Sequence, residues 1–460
     1  MTDDAQVDVA VVGAGISGLA CAFACQTLGM RVAIFDEATG SGGCIKTVRS
    51  EGCVVEGGPQ SYVSAPALDD LVDALGLRNK VVAPAAAAKR RYILTSAGLI
   101  AVPGSPQSLL FSPLLSAGAK WQLMREPFVK SRKDGEDETV ASFVRRRAGR
   151  EIADVVAAPF LAGFNAGDPE KISMRSAFPA LERMERDHGS ILGALRKTKA
   201  PKGRPSSFSF AQGNETLPLA LTALLGKSLT LEAPVDRITI TPDGAALYVG
   251  GERQEEVRAK HVIIAVPAGA AAQLLESIAP DAARELNEIE YAPVVQMAFV
   301  YRRDAIGVPL DGFGFLATKD SGVRILGAVW NSATFPKRCA DGDVLVTAFL
   351  GGALDATAAI ESDDELVSIA HADLRRAMKI AGAKPRLAAV FRWDAGIPQY
   401  NVGHEARLRS IEASLARVPA IALCGNFLRG ISVADCVRQA REVALRLTGA
   451  GTAGARHRDA

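Results

Sequence analysis

The hydrophobic pattern at the start of the chain is typical of a βαβ unit. Apolar runs at residues 9–12 and 31–35 predict buried strands, and the apolar stretch at residues 19–28 between them predicts a helix. Similar β-branched runs return much later, at residues 261–267 and 420–426. The pattern therefore predicts a parallel α/β sheet that is assembled from both ends of the chain.

A glycine pattern lies where the first predicted strand turns into the helix. It reads Gly13-x-Gly15-x-x-Gly18, and Asp36 follows at the end of the second predicted strand. Gly13 permits a tight turn, Gly15 lets the backbone approach a pyrophosphate, and Gly18 lets the helix pack closely. The helix N-terminus would face the phosphates, and Asp36 would bind an adenosine ribose. The pattern predicts a dinucleotide site; the alternative is a glycine turn in an ordinary α/β unit.

Two further glycine pairs favour FAD over NAD as the dinucleotide. Gly42-Gly43 follows Asp36 closely, and Gly57-Gly58-Pro59 comes soon after. They provide additional places where the backbone can lie against a cofactor, which NAD domains do not need. The cofactor residues expected in this segment are Gly13, Ala14, Gly15, Ile16, Ser17, Gly18, Asp36, Glu37, Gly42, Gly43, Gly57, Gly58 and Pro59.

The rest of the chain divides by pattern into strand-rich and helical segments. The expected fold is α/β: a Rossmann-like FAD-binding domain, an inserted sheet-containing substrate domain and a helical domain that contacts a membrane. A Pro/Gly/Ser-rich linker is expected near residues 201–207, and a disordered tail from residue 448. The expected segments are 1–82, 205–290 and 405–460 for FAD, 83–104 and 291–404 for substrate, and 105–204 for the helical domain.

Composition narrows the class of protein. A chain of 460 residues exceeds one ordinary core, so two or three domains are expected. A net charge of +2 argues against nucleic acid as a partner. No signal peptide and no apolar run long enough to span a bilayer are visible. Seven cysteines, odd in number and without metal-ligand spacing, predict a reduced cytosolic protein without structural disulfides and without a metal site.

Several motifs together resemble the protoporphyrinogen oxidase family, within the wider flavin-containing amine oxidase and phytoene desaturase superfamily. The resemblance covers nearly the whole chain. Three positions depart from the family pattern: Gly40 replaces an arginine, Gln60 replaces an asparagine, and Gln212 replaces a glycine. Besides the glycine motifs, the resemblance depends on residues 89–92, 166–169, 177–179, 312–316, 396–400, 403–404 and 430–436.

The resemblance implies an FAD enzyme that oxidises protoporphyrinogen IX to protoporphyrin IX in haem synthesis. Three two-electron steps would each pass a hydride to flavin N5, and molecular oxygen would reoxidise the flavin and yield hydrogen peroxide. No Ser/His/Asp set or paired carboxylate is visible, and this chemistry needs no catalytic side chain. His404 is interpreted as structural. The resemblance adds the cofactor residues Val235, Trp393, Gly425, Asn426, Gly430, Ile431, Ser432 and Val433.

The resemblance also assigns the substrate site. Arg91 matches an arginine that binds a propionate, for which a guanidinium is suited by its two parallel donors. Its alternative is a solvated surface charge. The other expected residues would form apolar walls or a close backbone approach, with core packing or a simple turn as the alternative. They are Leu316, Val329, Phe349, Asn165, Ala166 and Gly167.

An apolar stretch with interleaved basic residues, at 109–133, predicts peripheral contact with a membrane surface. A helical hairpin packed on the protein is the alternative. The expected location is cytoplasmic, on the inner face of the cell membrane, with the next enzyme of haem synthesis as a further partner. Three other functions remain open: coproporphyrinogen III oxidation, amine or carotenoid oxidation, and a catalytically silent flavin-binding scaffold.

Overall fold

The computed structural model describes residues 6–104, 106–132, 135–197, 207–251, 254–382 and 384–448. The expected linker and tail lie outside these residues, except for residues 207 and 448. In chain order, strands β1 to β19 are Val7–Val12, Val32–Phe35, Thr47–Ser50, Cys53–Glu56, Tyr62–Val63, Val81–Val82, Tyr92–Thr95, Gly98–Ala101, Ser207–Phe210, Leu229–Thr230, Val235–Thr241, Gly244–Val249, Glu255–Ile264, Tyr291–Arg302, Gly314–Ala317, Gly327–Val329, Asp343–Gly351, Arg386–Pro398 and Ile421–Leu423.

Helices fill the connections between the strands. In chain order, α1 to α17 are Ile16–Thr27, Pro66–Ala74, Pro106–Leu109, Ala117–Arg125, Val140–Ala148, Arg150–Ile152, Ala158–Asn165, Met174–Ala177, Pro179–His188, Ile191–Lys197, Thr216–Leu225, Ala268–Leu275, Pro280–Asn287, Asn331–Thr334, Asp363–Met378, His404–Leu415 and Val433–Leu447.

The first sheet confirms the expected α/β fold. Its strand order is β10-β2-β1-β13-β12-β11, and β19 pairs with the end of β13. The strands β10, β2, β1, β13 and β19 run parallel, whereas β12 and β11 form an antiparallel extension. Val9 and Val11 pack against α1 and α17, while Ala10 and Val12 pack against α12 and α13. Both faces are covered, as uninterrupted apolar strands require.

The second sheet has the order β18-β14-β17-β16-β15-β7-β8, antiparallel except between β15 and β7. Alternate side chains point to opposite faces of a sheet. One face packs on α15 through residues such as Met297 and Phe315. The opposite face, called the inner face here, carries Leu316, Phe349 and Gln296. The strand register pairs Leu316 with Gly327, Gly327 with Phe349, and Phe349 with Gln296. Directly paired residues of neighbouring strands lie on the same face.

The hairpin of β3 and β4 covers one end of the inner face. Its Cys53 is buried among Ala298, Val300 and Leu345 of the second sheet. There Cys53 forms a disulfide with Cys339, which is 286 residues away in sequence. The prediction of a chain without structural disulfides is therefore wrong. The contact arises from packing of the hairpin on a distant sheet, and cysteine spacing carries no information about it.

The helical segment has a core of its own, which divides the apolar stretch predicted to meet a membrane. Leu115 and Leu123 pack with Ile152, so these positions belong to the core. Phe111 and Phe128 instead are 87% and 84% exposed. The helical-hairpin interpretation is therefore confirmed for the buried residues, and membrane contact stays a prediction for the exposed ones. Within the described parts of the chain, no helix combines the length and the apolar character needed to cross a bilayer.

Candidate active site

The glycine turn after β1 lies at the carboxyl edge of the first sheet. Gly13 has φ of +103°, and a Cβ added there would lie 2.8 Å from the carbonyl oxygen of Ala265. A Cβ on Gly18 would lie 1.9 Å from the carbonyl oxygen of Gly13. A Cβ added to Gly15, in contrast, would have no atom within 4 Å. The turn is closed toward the sheet and open above Gly15, which leaves room for a pyrophosphate.

The N-terminus of α1 borders that open space. Its N-cap is Gly15, and no side chain caps the helix. The first N–H groups of a helix have no partner within the helix, so they can bind an anion. Ile16, Ser17 and Gly18 form this first turn.

Asp36 lies beside the turn, at the end of β2. Its carboxylate accepts hydrogen bonds from the N–H groups of Ala14 and Ala38, and it remains half-exposed, next to the exposed Glu37. The carbonyl oxygen of Asp36 accepts a 2.9 Å hydrogen bond from the N–H of Ala233. This contact places the half-buried Val235 near the same corner, where an adenosine would meet both a carboxylate and an apolar side chain.

The second glycine pair folds back onto the first turn. The N–H of Gly42 donates to the carbonyl oxygen of Ala14 at 2.8 Å, and Gly15 and Gly42 form an isolated parallel bridge. A Cβ on Gly43 would lie 3.3 Å from the Cα of Gly15. Two backbone segments without side chains therefore face each other, as a cofactor that lies against main chain requires.

The third glycine pair connects this edge with the inner face of the second sheet. A Cβ on Gly58 would lie 1.9 Å from the carbonyl oxygen of Cys44, and one on Gly57 would lie 2.5 Å from the ring of Phe391. The indole Nε1–H of Trp393 donates to the carbonyl oxygen of Gly57 at 2.7 Å. Trp393 and Gly57 therefore lie where the two sheets meet. The carbonyl oxygen of the adjoining Pro59 accepts a 2.7 Å hydrogen bond from Asn214.

A buried ion pair holds the chain immediately before Gly57. Glu56 and Arg338 are 2% and 4% exposed, and their side chains are 2.8 Å apart. Thr47 and the N–H of Asn214 also donate to the Glu56 carboxylate. Burial raises the pKa of Glu56 and lowers that of Arg338, while the attraction between the two charges opposes both shifts. Removing one partner would leave a buried charge without compensation.

The last segment of the chain adds a second helix N-terminus to the edge. The helix α17 lies beside α1, with Cys21 in contact with Ala440. Ser432 caps α17, because its hydroxyl oxygen accepts the N–H of Asp435 and its O–H donates to the Asp435 carboxylate. A Cβ on Gly430 would lie 2.2 Å from that carboxyl group. The turn of Gly430, Ile431, Ser432 and Val433 is thus fixed by glycine and the cap.

The residues after β19 are anchored from the second sheet. The hydroxyl of Tyr400 donates to the carbonyl oxygen of Asn426, which follows Gly425. His404 is 1% exposed, stacks on Tyr400 at 4.2 Å, and its Nε2 lies 2.9 Å from the carbonyl oxygen of Leu428. Burial lowers the pKa of His404. These contacts give His404 a structural position under the turn that leads to α17.

The inner face brings the expected apolar wall residues together. Val329 lies opposite Gly314 and Thr347, next to the row that holds Leu316 and Phe349. The helix α7 packs against this wall, since a Cβ on Gly163 would lie 2.1 Å from the Leu316 side chain. The wall therefore borders both the helical segment and the Trp393 edge of the second sheet.

The turn after α7 closes one side of the wall. Ala166 adopts a left-handed conformation with φ of +50° and packs near Phe349. Asn165 is buried, and its carbonyl oxygen accepts a 2.9 Å hydrogen bond from the side chain of Gln399. A Cβ on Gly167 would lie 2.8 Å from the Oε1 of Gln399. Asn165, Ala166 and Gly167 thus form a tight turn beside the wall.

Arg91 lies at the margin of the inner face. The N–H of Val102 donates to its carbonyl oxygen, which extends the β7–β8 pairing to this residue. Because Ile93 is opposite Leu316, the alternation places Arg91 on the same side of the strand. Its guanidinium lies 5.1 Å from the ring centre of Phe313 and is exposed. The neighbouring Arg90 differs, because it is paired with Asp311.

A chain of polar side chains on the inner face was not predicted from the sequence. Gln60 donates to the side-chain oxygen of Gln296 at 3.0 Å and accepts from Asn331 at 2.6 Å, and Thr347 donates to Asn331. These residues connect the Gly58 loop to the second sheet. One signal was available, since Gln296 is a polar position within the otherwise apolar run of β14.

Comparison with known proteins identifies the family. Protoporphyrinogen oxidase, chloroplastic, of Nicotiana tabacum is 31% identical and covers 97% of this chain and 86% of its own length. Coproporphyrinogen III oxidase of Bacillus subtilis is 27% identical, with 95% and 97% covered. A solved structure from Exiguobacterium sp. 255-15 has a TM-score of 0.83 at 24% identity, with 96% and 98% covered. The model of the flavin containing amine oxidoreductase family matches residues 16–448, so the chain belongs to this family of FAD-dependent oxidoreductases.

Proposed function

We propose that this protein oxidises protoporphyrinogen IX to protoporphyrin IX in haem synthesis, with molecular oxygen as acceptor and hydrogen peroxide as the second product. The observation that carries the proposal is the inner face. There the apolar side chains of Leu316, Val329 and Phe349 share one surface with Trp393, which contacts the Gly57 turn. Such a wall suits a large flat apolar ligand held beside a cofactor.

FAD fits the carboxyl edge of the first sheet. The open space above Gly15 and the uncapped N-terminus of α1 would receive the pyrophosphate. Asp36 and Val235 would hold the adenosine, and the turn before α17 would lie at the flavin ring. When bound, FAD accepts the two electrons of each oxidation step as a hydride. The cofactor residues proposed from the sequence all lie along this edge, or at its junction with the second sheet.

The residues of this chain would act on the substrate by position. The apolar wall excludes water from one side of the macrocycle and holds its reacting carbon near the flavin. The turn of Asn165, Ala166 and Gly167 presents main chain to the ring edge. Arg91 would bind one propionate at the margin of the wall, where its guanidinium is free of any carboxylate among the described residues.

Coproporphyrinogen III is the second candidate substrate, because the Bacillus subtilis relative carries that name. The two porphyrinogens differ in that coproporphyrinogen III has four propionates. The deciding experiment is turnover of both substrates side by side, followed by porphyrin fluorescence and peroxide release. A kcat/KM for protoporphyrinogen IX at least tenfold above that for coproporphyrinogen III supports the proposal; the reverse ratio would assign the second candidate.

An anaerobic spectrum separates an enzyme from a flavin-binding scaffold. Addition of protoporphyrinogen IX without oxygen should bleach the flavin absorbance, and admission of oxygen should restore it. An unchanged spectrum with both porphyrinogens would contradict the enzymatic proposal. Bleaching by an amine instead would favour the amine oxidases of the superfamily.

We also propose that the protein works in the cytoplasm, peripherally on the inner face of the cell membrane. The exposed Phe111, Trp121, Met124 and Phe128 support this, since they form the apolar side of a segment that also carries Lys120 and Arg125. A poorly soluble porphyrin would leave toward the membrane or toward the next enzyme of haem synthesis.

A further inference from the structure

We propose that Cys53 and Cys339 form a reversible redox clamp that fastens the β3–β4 hairpin to the second sheet and thereby controls how tightly FAD is retained. The inference concerns the cofactor and is independent of which porphyrinogen is the substrate. It rests on the proposed cytoplasmic location, since a disulfide in a cytosolic protein is more often redox-responsive than permanently structural. The pair therefore requires an explanation other than simple stabilisation.

The position of the disulfide connects it to the cofactor edge. Cys53 begins β4, and the same strand ends at Glu56, immediately before the Gly57 turn. Cys339 follows Arg338, the ion-pair partner of Glu56. The carbonyl oxygen of Arg338 also accepts a 2.7 Å hydrogen bond from the N–H of Val54. One short strand is thus attached to the second sheet by a covalent bond, a backbone hydrogen bond and an ion pair.

The attachment matters because the Gly57 turn has little freedom. A Cβ on Gly57 would clash with the ring of Phe391, and one on Gly58 would clash with the carbonyl oxygen of Cys44. The carbonyl oxygen of Gly57 also accepts a hydrogen bond from Trp393. Movement of β4 would therefore change the edge against which FAD lies. Opening the disulfide leaves the ion pair and the hydrogen bond in place, so the expected effect is loosening rather than unfolding.

The remaining cysteines make the pair distinctive. Cys21, Cys25, Cys424 and Cys436 are buried free thiols, and burial raises the pKa of Cys25 to about 12, which makes such thiols poor nucleophiles. Cys44 is free and exposed. Cys339 is half-buried, while Cys53 is 2% exposed, so Cys339 is the more accessible residue of the pair.

The chemistry is ordinary thiol–disulfide exchange. A dithiol attacks the Cys339 sulfur, Cys53 leaves as a thiolate and takes a proton, and the second thiol of the reductant releases Cys339. Two electrons pass to the protein and the reductant becomes a disulfide. In the reverse direction, a peroxide oxidises the two thiols to the disulfide and is reduced to water, by way of a sulfenic acid on one cysteine.

The test compares the purified FAD-loaded protein after treatment with hydrogen peroxide or with dithiothreitol. Alkylation and peptide mapping should show a linked Cys53–Cys339 peptide after peroxide, and both cysteines separately alkylated after dithiothreitol. Dithiothreitol should lower the Tm by about 2–5 °C, the shift expected for loss of one disulfide in a chain of 460 residues. Release of FAD, followed by flavin fluorescence, should become faster.

The matched variant is Cys53→Ser with Cys339→Ser, which should release FAD like the reduced protein and should not respond to dithiothreitol. The wild-type comparison stands without this variant if the variant does not fold. Alkylation of both cysteines after peroxide treatment would overturn the proposal. Full reduction of the disulfide that changes neither the Tm nor the rate of FAD release would also overturn it. The same holds if dithiothreitol affects the double variant as much as it affects the wild type. None of these measurements uses a porphyrinogen, so a negative result for the disulfide would leave the proposed enzymatic activity unaffected.

Discussion

Substitution of Arg91 by alanine should weaken porphyrinogen turnover while FAD content stays normal. Alternation along β7 places Arg91 on the inner-face side, and its guanidinium is free of carboxylate partners among the described residues. Its contact with the ring of Phe313 holds it in place without neutralising its charge. A propionate would therefore be its principal partner, and its loss should appear mainly as a higher KM.

The size of the effect follows from the type of bond and from exposure. A hydrogen bond to a charged group contributes about 1.5–3 kcal/mol. Arg91 is exposed, so solvent screening favours the lower end, about 1.5–2 kcal/mol. Because about 1.36 kcal/mol corresponds to a tenfold change, kcat/KM should fall about 10- to 30-fold. Arg91→Lys should recover part of this loss, since an ammonium lacks the planar two-donor geometry.

Arg90→Ala is the matched control. Arg90 is the adjacent residue, carries the same charge and is comparably exposed, but Asp311 already pairs with it. Its substitution should change kcat/KM less than threefold. The assay is steady-state porphyrin fluorescence, with the flavin-to-protein absorbance ratio measured for each variant. An equal loss of kcat/KM in both variants would indicate that positive charge in this region matters, and not a specific contact of Arg91. Unchanged kinetics in Arg91→Ala would show that Arg91 is a solvated surface charge.

Three shorter predictions concern the cofactor, the membrane and pH. Gly18→Ala should give protein without bound flavin, because the new methyl group would lie 1.9 Å from a backbone oxygen. The control Gly269→Ala, whose methyl group would have no neighbour within 4 Å, should bind FAD normally. Equal flavin content in the two variants would refute this prediction. Phe111→Ser with Phe128→Ser should lower sedimentation with anionic liposomes at unchanged Tm; unaltered sedimentation would exclude the two side chains. Burial lowers the pKa of His404 below 6.5, so its contribution to stability is present above pH 6.5 and is lost as pH falls below it. The Tm of His404→Gln should therefore drop less than wild type between pH 7.5 and 5.5, and parallel curves would show that other groups dominate.

The sequence predicted the parts of the fold that local pattern controls. The glycine turn and the expected strands at both ends of the chain recur in the structure, because each follows from a short apolar run or a glycine requirement. The boundaries were less accurate. The strand expected at residues 420–426 is only Ile421–Leu423, and β13 begins at Glu255, six residues before the apolar run at residues 261–267.

Contacts between segments that are distant along the chain could not be predicted from the sequence. The Cys53–Cys339 pair and the Gln60–Gln296 contact each join segments that are more than two hundred residues apart. They depend on how the hairpin and the Gly58 loop meet the second sheet, and no periodicity encodes that meeting. The resemblance to a family supplied Arg91 and the apolar wall, whereas local pattern alone would have left them as a surface charge and ordinary core.

The discontinuity of the first sheet governs when the protein can mature during synthesis. The strand β1 leaves the ribosome well before its neighbour β13, which lies about 250 residues later, and β19 and α17 follow later still. At about 5–20 residues per second, the first βαβ unit waits roughly 20–80 s for its last partners. The nascent chain must therefore keep one open edge of β1 soluble until β13 has been made, although β2 already pairs with the other edge. FAD capture must then wait for the segment that contains β19 and α17.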